Sequence, residues 1–177
     1  MTYNQIQITL QSVTGIWQSL QAARLSHGSR SDSTPDEVGA GDLELARKLI
    51  LAGDDHAQAM RGIHVHMVLT MCSGFFMQWE RYRVGKLLLG DCENLTTSSQ
   101  MHTTLKKLTG VELAEQKQND LPGVSYTEAV DVNYQALRRI YFARRNHAHP
   151  DWRILCGWIE TLPYFAELIA PARAGEN

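Results

Sequence analysis

At 177 residues, with 44% hydrophobic and 20% charged residues, the chain is long enough for one domain with a real core and too apolar to be disordered. A net charge of −2 gives no global pull toward nucleic acid or anionic membranes, so any basic site has to be local. The three dispersed cysteines, Cys72, Cys92 and Cys156, exclude a disulfide framework or zinc knuckle, and no apolar run reaches the ~18 residues of a membrane span.

With no signal-peptide pattern at the N-terminus, a cytoplasmic protein without membrane contact is expected. In chain order, residues 3–10 place Ile6, Ile8 and Leu10 at period two, which predicts a strand. Val13, Ile16, Trp17 and Leu20 then recur at i, i+3, i+4 and i+7, which predicts an amphipathic helix over 12–25 with Ser12 as N-cap. Residues 26–41 are rich in Ser, Gly, Asp and Pro and predict a long loop. Asp42 is the expected cap of a helix carrying Leu43, Ala46, Leu49 and Ile50 inward, with Gly53 as its stop and a helical turn over 56–61.

Residues 62–70 alternate, with Ile63, Val65, Met67 and Leu69 on one face and His64, His66, Val68 and Thr70 on the other, as a strand requires. Met71 to Arg83 has helical length, and Gly85 and Gly90 bracket Leu87–Leu89 as a turn. Residues 96–109 predict a capped helix and 110–126 a second long loop. A helix is expected over 127–145 with Val130, Tyr134, Leu137 and Tyr141 on one side. A last helix opens at Pro150 with Trp152, Leu155, Cys156 and Ile159 inward, Pro163 ends it, and 170–177 is a frayed tail. The whole reads as one helix-rich α/β (α+β) domain with a small sheet.

Two basic clusters stand out against the negative net charge. Arg81-Tyr82-Arg83 lies at a helix end that Gly85 stops, where two guanidinium forks can converge on one phosphate. Arg138, Arg139, Arg144, Arg145 and Arg153 interleave with Tyr134, Tyr141 and Trp152. Taken together they favour a phosphorylated small molecule over a nucleic acid, whose binders carry excess positive charge. The pairs His64/His66 and His147/His149 have zinc-like spacing, but no cysteine or carboxylate pattern in the sequence completes them, so no metal is assigned. No P-loop, dinucleotide glycine motif or nucleophile elbow is present, and Ser98 and Ser99 read as helix caps.

Ala22-Ala23-Arg24-Leu25-Ser26, the helix from Asp42 to Gly53, the strand after it and Gln78-Trp79-Glu80-Arg81-Tyr82-Arg83 resemble, in order and spacing, the flavin-dependent thymidylate synthases over roughly residues 1–100. The stretch from Asn133 to Arg153 lies where that family has its late arginine-bearing helices, in the style of a divergent phage-type branch. Tyr82 stands where the family's R-H-R has its histidine; Asp91 and Glu93 stand where its serine-arginine segment is expected, and the nearest serines, Ser98 and Ser99, come later with His102 behind them.

The resemblance implies a homotetramer in which FAD carries hydride from NADPH, and methylenetetrahydrofolate gives a one-carbon unit to C5 of dUMP. It implies that Gln78, Arg81, Tyr82 and Arg83 meet nucleotide or flavin, with Ser98, Ser99 and His102 beyond them. It also implies that a late arginine, Arg145 or Arg153, holds the pyrimidine or its phosphate. The alternative is a non-catalytic homologue that keeps the arginines to bind a nucleotide or a protein.

Overall fold

A computed structural model of the protein describes residues 5–26, 28–91 and 125–172. Four strands form one antiparallel sheet in the order β1-β2-β4-β3, where β1 is Gln7–Thr14, β2 His64–Cys72, β3 Lys86–Asp91 and β4 Ser125–Asn133. The helices are α1 (Ile16–Ser26), α2 (Ala40–Ala52), α3 (Ser73–Trp79), α4 (Tyr134–Arg144) and α5 (Pro150–Ile159). A 3-10 turn spans Gln58–Gly62 and a π-turn Phe165–Ile169. This is the mixed α/β architecture that the composition and patterning imply.

β2 is central, and its alternation sets the layers. Val65, Met67, Leu69 and Met71 are buried against the helices, while His64, His66, Val68 and Thr70 lie half-buried on the opposite face. Its register with β4 places Met67 opposite Val130 and His66 opposite Asp131. The core continues through Phe75, Trp79, Tyr134, Leu137, Ile140, Trp152 and Leu155, all fully buried. Phe75 of α3 meets Trp152 of α5 with ring centroids 4.5 Å apart, which locks these two helices together.

Several expectations shift at the boundaries. The first strand runs to Thr14, so Ser12 lies within it and caps nothing; α1 begins after Gly15, whose carbonyl accepts from Ser19 N. Leu87 to Leu89, expected as a turn, belong to β3, because β4 supplies backbone partners that the local sequence does not reveal. The helix expected over 127–145 divides. Tyr126, Glu128, Val130 and Val132 alternate inward as a strand, and the helix starts only at Tyr134, where the Asn133 side chain accepts from Ala136 N at 2.9 Å. The coincidence of Val130, Tyr134, Leu137 and Tyr141 at helical spacing yields to pairing with β2 on one side and β3 on the other. The same strand takes Ser125 and Tyr126 out of the expected 110–126 loop. The expected helix over 96–109 and the rest of that loop lie outside the described residues.

The loop expected at 26–41 is shorter, since α1 includes Ser26 and α2 starts at Ala40, and its described residues are organised on one carboxylate. Asp42 does not cap α2; it is buried on the helix's first turn, where it takes Arg24 Nε at 2.6 Å and Ser33 N and Oγ at 3.1 and 2.6 Å, together with the Ser31 hydroxyl. Asp32 supplies the capping instead, accepting from Gly41 N and Asp42 N at 2.9 Å each. Burial raises the Asp42 pKa, but the hydrogen bonds from Ser31, Ser33 and Arg24 outweigh it and hold the carboxyl well below the usual range. No described helix is long and apolar enough to cross a membrane.

Candidate functional site

α3 is short because its last carbonyls are taken up at once. Glu80 N donates to Phe76 O, Arg81 N to Gln78 O and Tyr82 N to Trp79 O, which turns the chain toward Gly85. Within this stretch Gly74, Met77, Gln78 and Arg81 fall at i, i+3, i+4 and i+7 and form one stripe. The stripe makes one wall of a cleft of ≈ 220 Å³, and Arg144 at the end of α4 and His147 in the turn before α5 make the other.

The cleft's polar groups are held from behind. The buried Trp152 donates its indole N–H to Gln78 Oε1 at 2.8 Å, which fixes the amide and turns its NH₂ into an uncommitted donor among the described residues. Arg144 donates Nε to the Tyr82 hydroxyl at 2.6 Å, and its guanidinium carbon lies 4.8 Å from the Trp152 ring and 5.4 Å from the Tyr82 ring. These cation–π contacts orient the fork without neutralising it.

Among the described residues no carboxylate lies in ion-pair reach of Arg81 or Arg144. His147 accepts from His149 N at 3.1 Å, and burial first, then Arg144 and His149, push its pKa down. Two arginines and a histidine thus face one space without a counter-charge among the described residues, an arrangement suited to an anion.

Of the residues expected from sequence, Gln78 and Arg81 line this cleft, and Tyr82 serves it by holding Arg144. Arg83 does not converge with Arg81; it is exposed, and its Nε returns to Glu80 O at 3.2 Å. Two positions apart in a turn, the two side chains diverge. Arg145 lies over Phe142 and Tyr141, with centroid distances of 5.0 and 5.9 Å, and Arg153 is exposed on α5; neither lines the cleft. Ser98, Ser99 and His102 lie outside the described residues.

Arg144, one of five basic residues in its cluster, and His147, read only as half of a metal pair, are the groups that sequence reasoning did not single out. The rotation of α4 selects Arg144 over its neighbour, and the run of arginines in the sequence carries no signal for it. The carboxylate expected to be missing beside His64 and His66 is present across the sheet. Asp131 of β4 lies 2.8 Å from His64 Nδ1 and 3.6 Å from His66 Nε2.

No family model matches the chain, and no curated protein matches it. Solved structures do share its fold. The flavin-dependent thymidylate synthase ThyX from Helicobacter pylori, complexed with FAD and dUMP, aligns at 15% identity over 93% of this chain and 98% of that one, with a TM-score of 0.63. A second structure, Thymidylate Synthase X from the same organism with FAD and dUMP, aligns at 15% identity over 94% and 97% of the two chains with a TM-score of 0.64. Aligned along nearly the whole chain at these TM-scores, the protein is similar in fold to the flavin-dependent thymidylate synthases.

Proposed function

We propose that the protein binds a phosphorylated pyrimidine nucleotide of the dUMP class, with the phosphate between Arg81 and Arg144. The observation that carries this is the convergence of two arginines on one cleft, with no carboxylate in ion-pair reach among the described residues. A phosphate dianion matches both forks, and charge-assisted bonds of this kind are each worth ~1.5–3 kcal/mol. Gln78, held by Trp152, offers an amide N–H₂ donor beside them. The pyrimidine assignment rests on the fold likeness, since the solved relatives hold dUMP.

A flavin is the finer reading. FAD would supply hydride chemistry when bound, with NADPH and methylenetetrahydrofolate as the other reactants and C5 of dUMP as acceptor. The cleft tests this. Sites that enclose whole drug-sized ligands run to roughly 300–1,000 Å³. Among the described residues the cleft of ≈ 220 Å³ has room for a phosphate with its sugar, and no reaction step is routed through FAD. The alternative is a homologue that binds nucleotide or a protein without flavin chemistry. Homotetramer assembly belongs with the flavin reading, and light scattering on the purified protein tests it.

The central test is calorimetric titration of the purified protein with dUMP. Saturable binding is expected, weakened ten-fold or more by Arg81→Ala and by Arg144→Ala. Unchanged affinity in both variants overturns the nucleotide reading. An absorbance spectrum decides the flavin separately: a colourless protein that FAD does not reconstitute removes the flavin and leaves nucleotide binding standing.

A further inference from the structure

Behind the cleft wall, Cys72, His149 and Asp151 each present one ligand atom within 4.8 Å of the others. Gly74 and His147, two places along the chain from Cys72 and His149, line the cleft itself. Cys72 is the last residue of β2, and His149 and Asp151 bracket the start of α5, so folding alone brings the three together across 79 residues of sequence.

The chemistry of the set is that of a zinc site. A thiol, an imidazole and a carboxylate are the donors that zinc takes, and three protein ligands leave a fourth position open. The spacing agrees. Bonds of about 2.3 Å to sulfur and about 2.0 Å to oxygen at the tetrahedral angle put the two ligand atoms about 3.5 Å apart. Cys72 Sγ lies 3.5 Å from Asp151 Oδ2.

The surroundings agree as well. Asp151 is 0% exposed, and no lysine or arginine among the described residues forms an ion pair with it. A buried carboxylate without a cation is costly, and a metal ion supplies one. Its other oxygen, Oδ1, accepts from Ile6 N at 3.2 Å, so Oδ2 stays aimed at the thiol. Cys72 Sγ accepts from Phe75 N at 3.4 Å, a bond that strengthens when the sulfur becomes a thiolate. His149 Nδ1 now accepts from Asp151 N at the long distance of 3.3 Å. A neutral metal-bound imidazole carries one N–H and one metal, so coordination through either nitrogen ends that acceptor role. The bond it gives up is a weak one.

We propose that Cys72, His149 and Asp151 bind one borderline-soft divalent cation, zinc first, through a single thiolate, one imidazole nitrogen and one carboxylate oxygen. Binding releases the thiol proton. The ion ties the end of β2 to the start of α5 directly behind the anion cleft. The proposal does not depend on nucleotide binding.

The test uses the full chain and the metal alone, with no nucleotide. Cobalt(II) titration should give one equivalent, with the intense visible d–d bands of a tetrahedral ion and a sulfur charge-transfer band. Both should persist in Cys92→Ser and vanish in Cys72→Ser and His149→Ala. Because Cys72 is buried and its variant could unfold, X-ray absorption on zinc-loaded wild-type protein gives a second reading. One sulfur and two or more nitrogen or oxygen neighbours are expected. A first shell without sulfur, no bound equivalent, or bands that survive both variants overturns the proposal.

Discussion

Arg144 donates Nε to the Tyr82 hydroxyl at 2.6 Å while its guanidinium lies against the Trp152 ring. The bond occupies Nε–H, closing the side-on fork, and leaves the two terminal nitrogens to grip an anion end-on. Tyr82→Phe should therefore weaken dUMP binding modestly, by about three- to ten-fold, through looser positioning of Arg144. Arg144→Lys should cost at least ten-fold, or about 1.4 kcal/mol, because an ammonium cannot make the bidentate contact. Arg83→Ala and Arg153→Ala should stay near wild type. Titration calorimetry on the four variants checks the pattern; a loss in Arg83→Ala equal to that in Arg144→Lys would show the cleft to be wrongly assigned.

Trp152 and Gln78 couple stability to the same cleft. Replacing Gln78 by Leu leaves the buried indole N–H without its acceptor, and a loss of about 1–3 kcal/mol is expected. Gln78→Glu keeps the acceptor and should unfold nearer to wild type, yet it sets a carboxylate beside Arg81 and should weaken dUMP. Urea denaturation paired with titration separates the two effects.

Asp42 should dominate part of the acid limb. Its carboxyl is held below the ordinary value by Ser31, Ser33 and Arg24 against the opposing effect of burial. A depressed carboxyl contributes stability that is complete above its unfolded pKa near ~3.9 and is lost as pH falls toward the folded value. Wild-type stability should therefore drop below about pH 4, and Asp42→Asn should flatten that limb. At neutral pH the variant should be weaker by roughly 3 kcal/mol, since Arg24 is left facing a neutral group. Denaturant melts at neutral and acid pH measure both.

Gly15 and Gly53 separate steric clash from backbone strain. Gly15 has φ +83°, and an added Cβ would lie 2.0 Å from the Gly62 carbonyl oxygen. Gly53 has φ +123° with nothing within 4 Å of the same position. Gly53→Ala should cost about 1–3 kcal/mol from strain alone. Gly15→Ala should cost more than that, because backbone has to move. Equal losses in chemical denaturation would show that the turn at Gly15 yields freely.

Where periodicity is local and uncontested, the sequence by itself determined the structure. β2 alternates as read from Ile63 to Leu69. α5 starts at Pro150 and buries Trp152, Leu155, Cys156 and Ile159 as their spacing requires. Gly53 stops α2, and Gln78 and Arg81 share the face that their helical spacing gives them.

Tertiary structure decided the rest, because the deciding partners are distant in sequence. Leu87–Leu89 and Tyr126–Val132 become strands only by hydrogen-bonding to one another and, for β4, to β2. Asp42 becomes the hub of the segment before it because Ser31, Ser33 and Arg24, 9 to 18 residues away, all reach it. The choice of Arg144 over Arg145 turns on about 100° of helix rotation, which the packing of α4 against the core sets and a run of arginines does not reveal. The same packing sets the end of β2 beside the start of α5, joining a cysteine and an aspartate to His149, which the sequence paired only with His147.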